Sequence, residues 1–238
     1  MTEKMDVFFN AYGKDIFIVM PAYNEAKTIE TVIYELLPQG LQLVVVDDGS
    51  QDQTSKIVKN IQKIYPNQVR LYRHPLNRGL GAAIRTGMEA SLLENPRVIV
   101  TFDADGQHHA DDLIPVCKPV IEDNADVVIG TRNFQEMPFR KKFGNNVMNI
   151  ITSIFYGINV NDSQSGLRAL SKKAAETMEL HARDYGVSSE IIGEVKRKHL
   201  KLVEVPIVTI YTDYSLSKGT NTKVGLKILA KLIRNVFK

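Results

Sequence analysis

Short, mostly apolar runs recur along the first half of the chain, and most of them are apolar at consecutive positions. Five runs rich in Val and Ile cover residues 16–20, 43–46, 69–72, 98–102 and 127–129. Strands that are buried on both faces of a parallel sheet show this pattern. Between the runs, for example at 28–37 and 113–121, apolar residues recur three and four positions apart, as on an amphipathic helix. This alternation predicts a doubly wound α/β fold.

The second half of the chain has a different pattern. Residues 143–160 are mostly apolar, and the polar segment 161–166 follows them. Two helices and then a strand are predicted at 172–180, 188–198 and 202–211. Pro206 favours an edge position for that strand, because proline cannot donate a ladder hydrogen bond. No repeat or low-complexity linker interrupts the sequence, so one domain over residues 1–238 is expected.

Composition narrows the class of protein. The chain has 238 residues, 44% of them apolar and 24% charged, which is typical of a soluble globular domain. The single cysteine, Cys117, cannot pair within the chain, which favours a reducing compartment. A formal charge of +3 is too small to predict nucleic-acid binding. The sequence contains neither a secretory signal nor an apolar run of about 18 residues, so a soluble or peripherally bound protein is expected.

Polar residues directly follow four of the five predicted strands. These segments are residues 21–25, 47–50, 103–107 and 130–132. In parallel α/β sheets, ligands bind beyond the carboxyl ends of the strands. The sequence therefore places carboxylates, an aromatic ring and an arginine along one rim, and it predicts a binding site there.

The aspartates after the fourth strand are the sharpest local signal at this rim. Asp103 and Asp105 stand one residue apart, so both carboxylates can share a hard divalent cation that also binds phosphates. Gln107 could supply a third oxygen ligand, whereas the two histidines that follow it would suit a softer metal. The simpler alternative is that the aspartates start a turn or cap the helix near Asp111.

Three other uses of these residues fit the sequence poorly. A haloacid-dehalogenase-type phosphatase has its aspartate pair after the first strand, whereas Asp103 follows the fourth. An EF-hand loop that began at Asp103 would need Glu at its twelfth position, which Ile114 occupies. Gly79 and Gly81 resemble the start of a dinucleotide fingerprint, but Ile84 holds the place of its third glycine. We expect these two glycines to let a helix approach the sheet closely.

Six motifs occur in order across residues 16–170 and resemble one known family. They are IVMPAYNEAKTI, VVVDDGSQDQT, HPLNRGLGAAIRTG, TFDADGQHHADDL, VIGTR and DSQSGLRAL. The sequence resembles the family 2 glycosyltransferases of GT-A fold, in which helices flank a Rossmann-like, mostly parallel sheet. Within that family it is similar to the dolichol-phosphate mannose synthases and bacterial polyprenyl-phosphate glycosyltransferases. VEVPIVTIY and the loop around Lys218 extend the resemblance toward the C-terminus.

The resemblance implies a nucleotide-sugar donor at the predicted rim. The residues that it places in the substrate site are Pro21, Tyr23, Glu25, Val46, Asp48, Asp103, Ala104, Gln107, Arg168 and Lys218. It implies Mg²⁺ or Mn²⁺ as a cofactor, held against the diphosphate by Asp103, Asp105 and Gln107. The metal would neutralise charge on the departing diphosphate, and Arg132 would add positive charge there. Members of the family invert the anomeric centre in one direct displacement.

The motif at 162–168 bears on the acceptor. It matches the DxxSGxR pattern of the lipid-phosphate branch, and the chain has no QxxRW sequence. A phosphate is already anionic at neutral pH and needs no strong base, so Arg168 and Arg132 would hold it. If the acceptor is a hydroxyl instead, Asp162 becomes a candidate base. Asp162 could also simply cap a turn. The expected catalytic residues are thus Asp105, Arg132 and Asp162.

Two stretches point toward a membrane. The apolar segment 143–160 has helical spacing, and the polyprenyl-linked relatives carry a similar helix there. A final helix, 223–238, places Lys223, Lys227 and Lys231 four residues apart beside an apolar face. Such a basic amphipathic helix could lie on an anionic membrane or could pack on the core. Many relatives continue into transmembrane helices after this point, whereas this sequence stops, so we expect a membrane partner protein, peripheral membrane contact or a soluble acceptor.

The sequence therefore predicts an inverting, metal-dependent glycosyltransferase at the cytoplasmic face of the membrane. Residues 1–132 would bind the nucleotide sugar, a UDP- or GDP-sugar, and residues 133–222 would face a polyprenyl-phosphate acceptor. One alternative is an enzyme of the same fold that glycosylates a hydroxyl in polysaccharide or glycoprotein biosynthesis. Another is a non-catalytic nucleotide-sugar-binding subunit. A nucleotidyltransferase fits poorly, because the GxGxRxxxxT turn is absent after the first strand.

Overall fold

A computed structural model describes residues 3–133 and 139–209 of the chain. In chain order, its helices and strands are α1 (Glu3–Tyr12), β1 (Ile16–Ala22), α2 (Ile29–Leu36), β2 (Gln42–Asp47), α3 (Thr54–Ile64), β3 (Val69–Arg73), α4 (Leu80–Leu92), β4 (Val98–Thr101), α5 (Leu113–Ile121), β5 (Val127–Arg132), α6 (Phe139–Tyr156), β6 (Arg168–Ser171), α7 (Lys172–Thr177), α8 (Val187–Arg197) and β7 (Leu202–Ile207). The predicted C-terminal helix 223–238 and the loop around Lys218 lie outside the described residues.

The seven strands form one sheet in the order β3-β2-β1-β4-β6-β5-β7. Neighbours pair in parallel from β3 to β4, and β7 pairs in parallel with β5. Only β6 runs the other way among these strands, since it pairs antiparallel with both β4 and β5. Six strands therefore end at the same edge, and the predicted α/β fold with a mostly parallel sheet is confirmed. The strand with Pro206 is an edge strand, as predicted.

The central strands are apolar at consecutive positions because helices cover both faces of the sheet. In β1, Ile16, Ile18 and Met20 pack into the core formed with α2 and α5. Phe17 and Val19 point to the opposite face, where α4, α7 and α8 contribute the second core. Every one of these β1 side chains is buried. The two-sided burial is the structural origin of the unbroken apolar runs.

Strand β6 was not predicted from the sequence. It has only four residues, and its first residue is the charged Arg168, which is buried. The chain then turns at once into α7, where the Ser171 hydroxyl caps the helix by accepting a hydrogen bond from the backbone N–H of Ala174 at 3.1 Å. Helix α7 ends at Thr177 and α6 ends at Tyr156, each earlier than predicted. Helix α1 was also absent from the predictions.

The prediction that Gly79 and Gly81 let a helix approach the sheet was wrong. A Cβ added at Gly79 or Gly81 would lie 2.2 and 2.1 Å from the carbonyl oxygens of Arg183 and Ala182, so these glycines admit that backbone rather than the sheet. The glycine that lets α4 approach the sheet is Gly87. A Cβ there would lie 2.3 Å from Val19 Cγ1 in β1.

Within residues 3–133 and 139–209, no helix combines the length and the hydropathy that a membrane span requires.

We predict that Gly87→Ala destabilises the fold by about 1–3 kcal/mol, because the new methyl group overpacks the α4–β1 contact. Gly144→Ala is the matched control. Gly144 also lies within a helix, but nothing stands within 4 Å of the position a Cβ would take. The control should be neutral or stabilising, by up to about 1 kcal/mol. Urea unfolding followed by circular dichroism measures both changes, and equal stabilities would contradict the predicted clash.

Candidate active site

The aspartate pair lies just beyond β4, at the edge where the parallel strands end. Asp105 accepts hydrogen bonds from the backbone and the side chain of Gln107, the first at 3.1 Å. Asp103 lies 3.4 Å from Nε2 of His108, which is buried. Ala104 is buried between the two aspartates. Asp103, Asp105 and Gln107 thus lie in one short segment directly after β4, and their role as metal ligands stays a prediction.

The two carboxylates differ in their electrostatic surroundings. Burial raises the pKa of Asp103, but the hydrogen bond from His108 and the positive charges of His108, Arg132 and Arg168 outweigh burial and lower the pKa below its usual range. Burial and the negative charge of Asp103 raise the pKa of Asp105 above its usual range. The pair thus concentrates negative charge where the neighbouring cations partly balance it.

The residues at this turn suit a hard cation. Carboxylate and amide oxygens are the ligands that Mg²⁺ and Mn²⁺ prefer. Among the described residues, no group of three His, Cys, Asp or Glu side chains is placed to hold a metal. The carboxylates of Asp103 and Asp105 would therefore leave coordination positions for water and for phosphate oxygens, as Mg²⁺ commonly requires.

The lack of a side chain at Gly166 leaves space for the Asp103 carboxylate. A Cβ at position 166 would lie 2.1 Å from Oδ2 of Asp103, so any side chain there would displace the carboxylate. The carbonyl of Gly166 also accepts a 2.7 Å hydrogen bond from the hydroxyl of Thr101 at the end of β4. The segment 165–168 therefore contributes to the aspartate site through the backbone of Gly166.

Arg132, at the end of β5, makes a bidentate ion pair with Asp162. Its Nε and Nη2 atoms each lie 2.7 Å from one carboxylate oxygen. Asn145 of α6 donates a further 3.1 Å bond to Asp162, whose side chain has no exposed surface. The Asp162 side chain does not cap the turn at 163–165 as the structural alternative assumed. It holds Arg132, which keeps 18% of its side-chain surface exposed.

Arg168 lies deeper than its predicted role suggested. The side chain is 2% exposed, and Nη2 donates a 2.8 Å bond to the carbonyl of Ser163. Burial lowers the pKa of Arg168 to about 10, although the charges of Asp162 and Asp103 oppose that shift. Arg168 therefore lies beneath the rim in this conformation, and direct contact with a ligand stays a prediction.

The nucleoside side of the predicted site is formed by the ends of β1 and β2. Pro21 and Val46 pair across these strands, and Val46 is fully buried. Tyr23 is 41% exposed at the rim. The backbone N–H of Glu25 donates to Thr54 Oγ1 at 2.8 Å. Asp48 is buried and accepts hydrogen bonds from its own chain. Lys218 lies outside the described residues.

Asn145 and Asn149 of α6 were not among the predicted site residues. Asn145 contacts Asp162, and Asn149 Oδ1 accepts a 2.9 Å hydrogen bond from the backbone N–H of Ser163. Both are polar residues four positions apart within a mostly apolar segment. That spacing places them on one face of a helix, and it is the signal that could have identified them.

Solved structures with this architecture are GT-A glycosyltransferases. Glucosyl-3-phosphoglycerate synthase from Mycobacterium tuberculosis, in complex with Mn²⁺, uridine diphosphate and glucosyl-3-phosphoglycerate, matches 97% of this chain and 82% of its own with a TM-score of 0.70 and 20% identity. A mannosyltransferase from Pyrobaculum calidifontis, in complex with GDP-Man and Mn²⁺, matches 94% of this chain and 65% of its own with a TM-score of 0.61 and 20% identity. The fold is therefore GT-A.

Sequence comparison identifies the family. The glycosyl transferase family 2 profile matches residues 17–178. An uncharacterized protein of Methanocaldococcus jannaschii is 48% identical over 97% of this chain and 96% of its own. The UDP-N-acetylglucosamine–dolichyl-phosphate N-acetylglucosaminyltransferase of Methanococcus voltae is 39% identical over 92% of this chain and 95% of its own. The chain belongs to glycosyl transferase family 2 and is a glycosyltransferase.

We predict that Asp162→Asn lowers the free energy of unfolding by about 3 kcal/mol, because the largely buried Arg132 guanidinium loses its charged partner. Glu176→Gln is the control. It removes the charge from a solvent-exposed ion pair with Lys172, which should cost less than about 1 kcal/mol. Urea denaturation compares the two. Equal losses of stability in the two variants would contradict the structural role of the Arg132–Asp162 pair.

Proposed function

We propose that the enzyme transfers a sugar from a nucleotide-sugar donor to a polyprenyl phosphate, with inversion at the anomeric carbon. The observation that carries this proposal is the Arg132–Asp162 ion pair. In this pair, Arg132 binds the Asp162 carboxylate, which a hydroxyl acceptor would need as its base. The Arg132 guanidinium lies at the rim, where it can meet an anion. The name of the relative from Methanococcus voltae, a dolichyl-phosphate N-acetylglucosaminyltransferase, supports the same class of acceptor.

On the donor side, residues 1–132 would bind the nucleotide sugar. Asp103, Asp105 and Gln107 would hold Mg²⁺ or Mn²⁺, which supplies positive charge against the leaving diphosphate. Pro21, Tyr23, Glu25, Val46 and Asp48 would line the nucleoside site, and Lys218 would approach the phosphates. Two structural neighbours with Mn²⁺ and nucleotides in their complexes support this donor class. The name of the Methanococcus voltae relative favours a uridine donor.

On the acceptor side, the chemistry needs no proton transfer. A phosphate oxygen attacks the anomeric carbon while the bond to the diphosphate breaks, and the bonding electron pair leaves with the nucleoside diphosphate. Arg132 would orient the attacking phosphate, with Arg168 adding positive charge from beneath.

Helix α6 supports an acceptor that comes from a membrane. Asn145 and Asn149 face the site, while Phe143, Ile150 and Ile154 are 64%, 59% and 74% exposed. Large apolar side chains at helical spacing on a solvent-exposed face suit the interfacial zone of a bilayer. We propose that this face touches the cytoplasmic surface of the membrane. The helix predicted at 223–238, or a membrane partner protein, would add to that contact.

The proposed reaction is tested with purified protein and Mn²⁺. UDP-N-acetylglucosamine, other UDP-sugars and GDP-sugars are supplied with and without a short polyprenyl phosphate. We expect nucleoside diphosphate release that rises with the lipid phosphate and falls at least about 100-fold in Asp105→Asn, which removes electrostatic stabilisation of the leaving group. Metal-dependent hydrolysis that ignores the lipid would favour a hydroxyl acceptor. Tight nucleotide binding without turnover would favour a binding subunit.

The membrane face is tested separately. Ile154→Ser should weaken binding to anionic lipid vesicles and slow transfer to a long polyprenyl phosphate embedded in them. Burying one large aliphatic side chain contributes about 1.5–3 kcal/mol, so the effect should be about tenfold or more. Transfer to a short, water-dispersed polyprenyl phosphate should stay unchanged. Leu93→Ser, which removes an 85% exposed leucine beyond α4, is the matched control. Equal effects of both variants would contradict the proposed face.

A further inference from the structure

A buried histidine joins the two turns on the donor side of the rim. His74 follows β3 and is 5% exposed. Its Nδ1 atom lies 2.7 Å from Asp48 Oδ1, and its Nε2 atom lies 3.0 Å from the hydroxyl of Thr86 in α4. Its backbone N–H donates a 2.9 Å bond to the carbonyl of Asp47. His74 therefore ties β2, β3 and α4 together at one point.

The hydrogen-bond partners of His74 show that its Nδ1 atom carries a proton. An ionised carboxylate only accepts hydrogen bonds, so Nδ1 must carry a proton and donate it to Asp48. Nε2 can then accept from the Thr86 hydroxyl, which leaves each atom of the chain with a suitable partner. Burial of the Asp48 and His74 side chains is costly unless both are satisfied, and this arrangement satisfies them.

Asp48 is nearly saturated by bonds within its own chain. Oδ1 accepts from His74 and from the backbone N–H of Arg78 at 2.9 Å, and Oδ2 accepts from the backbone N–H of Gly79 at 2.7 Å. A carboxylate has about four acceptor positions, so about one remains, on Oδ2. A ligand that used Asp48 would depend on that remaining position and therefore on the orientation of the carboxylate.

The turns that surround Asp48 are in direct contact. A Cβ at Gly49, whose φ is +75°, would lie 2.5 Å from the backbone carbon of Leu76. The turn at 47–50 and the turn at 74–79 therefore pack backbone against backbone. Gly79 directly precedes α4 with a φ of +94°, and its N–H donates to Asp48 Oδ2. A shift of Asp48 would move both turns.

We propose that His74 is a positioning residue of the donor site. It fixes the carboxylate of Asp48, and through Asp48 the 78–79 turn, so that the free position on Oδ2 meets a hydroxyl or N–H donor of the nucleoside. This inference rests on the place of Asp48 in the proposed donor site. His74 itself does not touch the nucleotide. It acts only on the nucleoside end of the donor and not on the metal-bound diphosphate.

The test measures ligand binding without an acceptor, so the identity of the acceptor does not affect it. Binding of uridine diphosphate and guanosine diphosphate with Mn²⁺ is compared with binding of inorganic pyrophosphate with Mn²⁺. His74→Leu should weaken binding of the preferred nucleotide about tenfold, the scale of one hydrogen bond to a charged group. Pyrophosphate binding should stay within about twofold, because pyrophosphate lacks the nucleoside. A general loss of structure would weaken both ligands.

Two further variants show whether His74 acts through Asp48. His74→Asn keeps an N–H donor near the position of Nδ1, so it should restore most of the lost nucleotide affinity. If His74→Leu does not fold, His74→Asn and Thr86→Val still separate the two hydrogen bonds, with the smaller effect expected for Thr86→Val. Asp48→Asn combined with His74→Leu should bind the nucleotide no more weakly than Asp48→Asn alone.

Three results would overturn the inference. The first is unchanged nucleotide binding in His74→Leu, and the second is an equal loss of pyrophosphate binding. The third is additive effects of His74→Leu and Asp48→Asn, since a residue that acts through another adds nothing once that other residue is changed. If the wild-type protein binds pyrophosphate but neither nucleotide, the proposed nucleotide-sugar donor site itself is contradicted. In kinetics, His74→Leu should raise the KM for the donor and leave kcat within about twofold.

Discussion

The ion pair between Arg132 and Asp162 joins three parts of the chain that are far apart in sequence. Arg132 ends β5, Asp162 precedes β6, and Asn145 brings α6 to the same carboxylate. A buried carboxylate is tolerated when hydrogen bonds satisfy it, and Asp162 accepts from the Arg132 backbone and guanidinium and from Asn145. The proposed acceptor side of the rim thus depends on this charge interaction, which fixes the direction of Arg132 and connects it to α6.

The proposed donor side is organised differently, because one carboxylate there collects several N–H donors. Asp48 gathers a histidine and two backbone N–H groups, and the turns on either side pack against each other. Hydrogen bonds to a charged group are stronger than neutral ones, so this carboxylate can set the path of two turns. A residue that the sequence suggests only as a ligand-binding group is therefore first a structural element of the rim.

The sequence was informative where a local pattern determines the structure. All five predicted strands, the edge strand with Pro206 and the aspartate turn follow from patterns within about ten residues. The prediction that each strand is buried on both faces was wrong for β3, which lies at the other end of the sheet with its last residues exposed. Strand β6 could not be predicted, because its pairing with β4 and β5 is non-local and its first residue is a buried arginine. The burial of Asp162 and Arg168 could not be predicted for the same reason. Their partners lie on other elements, and a sequence pattern does not show which charges will meet.

Asp103 is the point where the two sides of the rim come together. It follows β4, the strand that pairs with β1 of the donor side and with β6 of the acceptor side. Its carboxylate packs against Gly166, and the positive charges of Arg132 and Arg168 lower its pKa. Because Asp103 interacts electrostatically with Arg132 and Arg168, a change of charge at Asp103 acts on both arginines. In the proposed function, cation binding at this carboxylate would therefore weaken their attraction to it and leave more of their positive charge for an anionic acceptor.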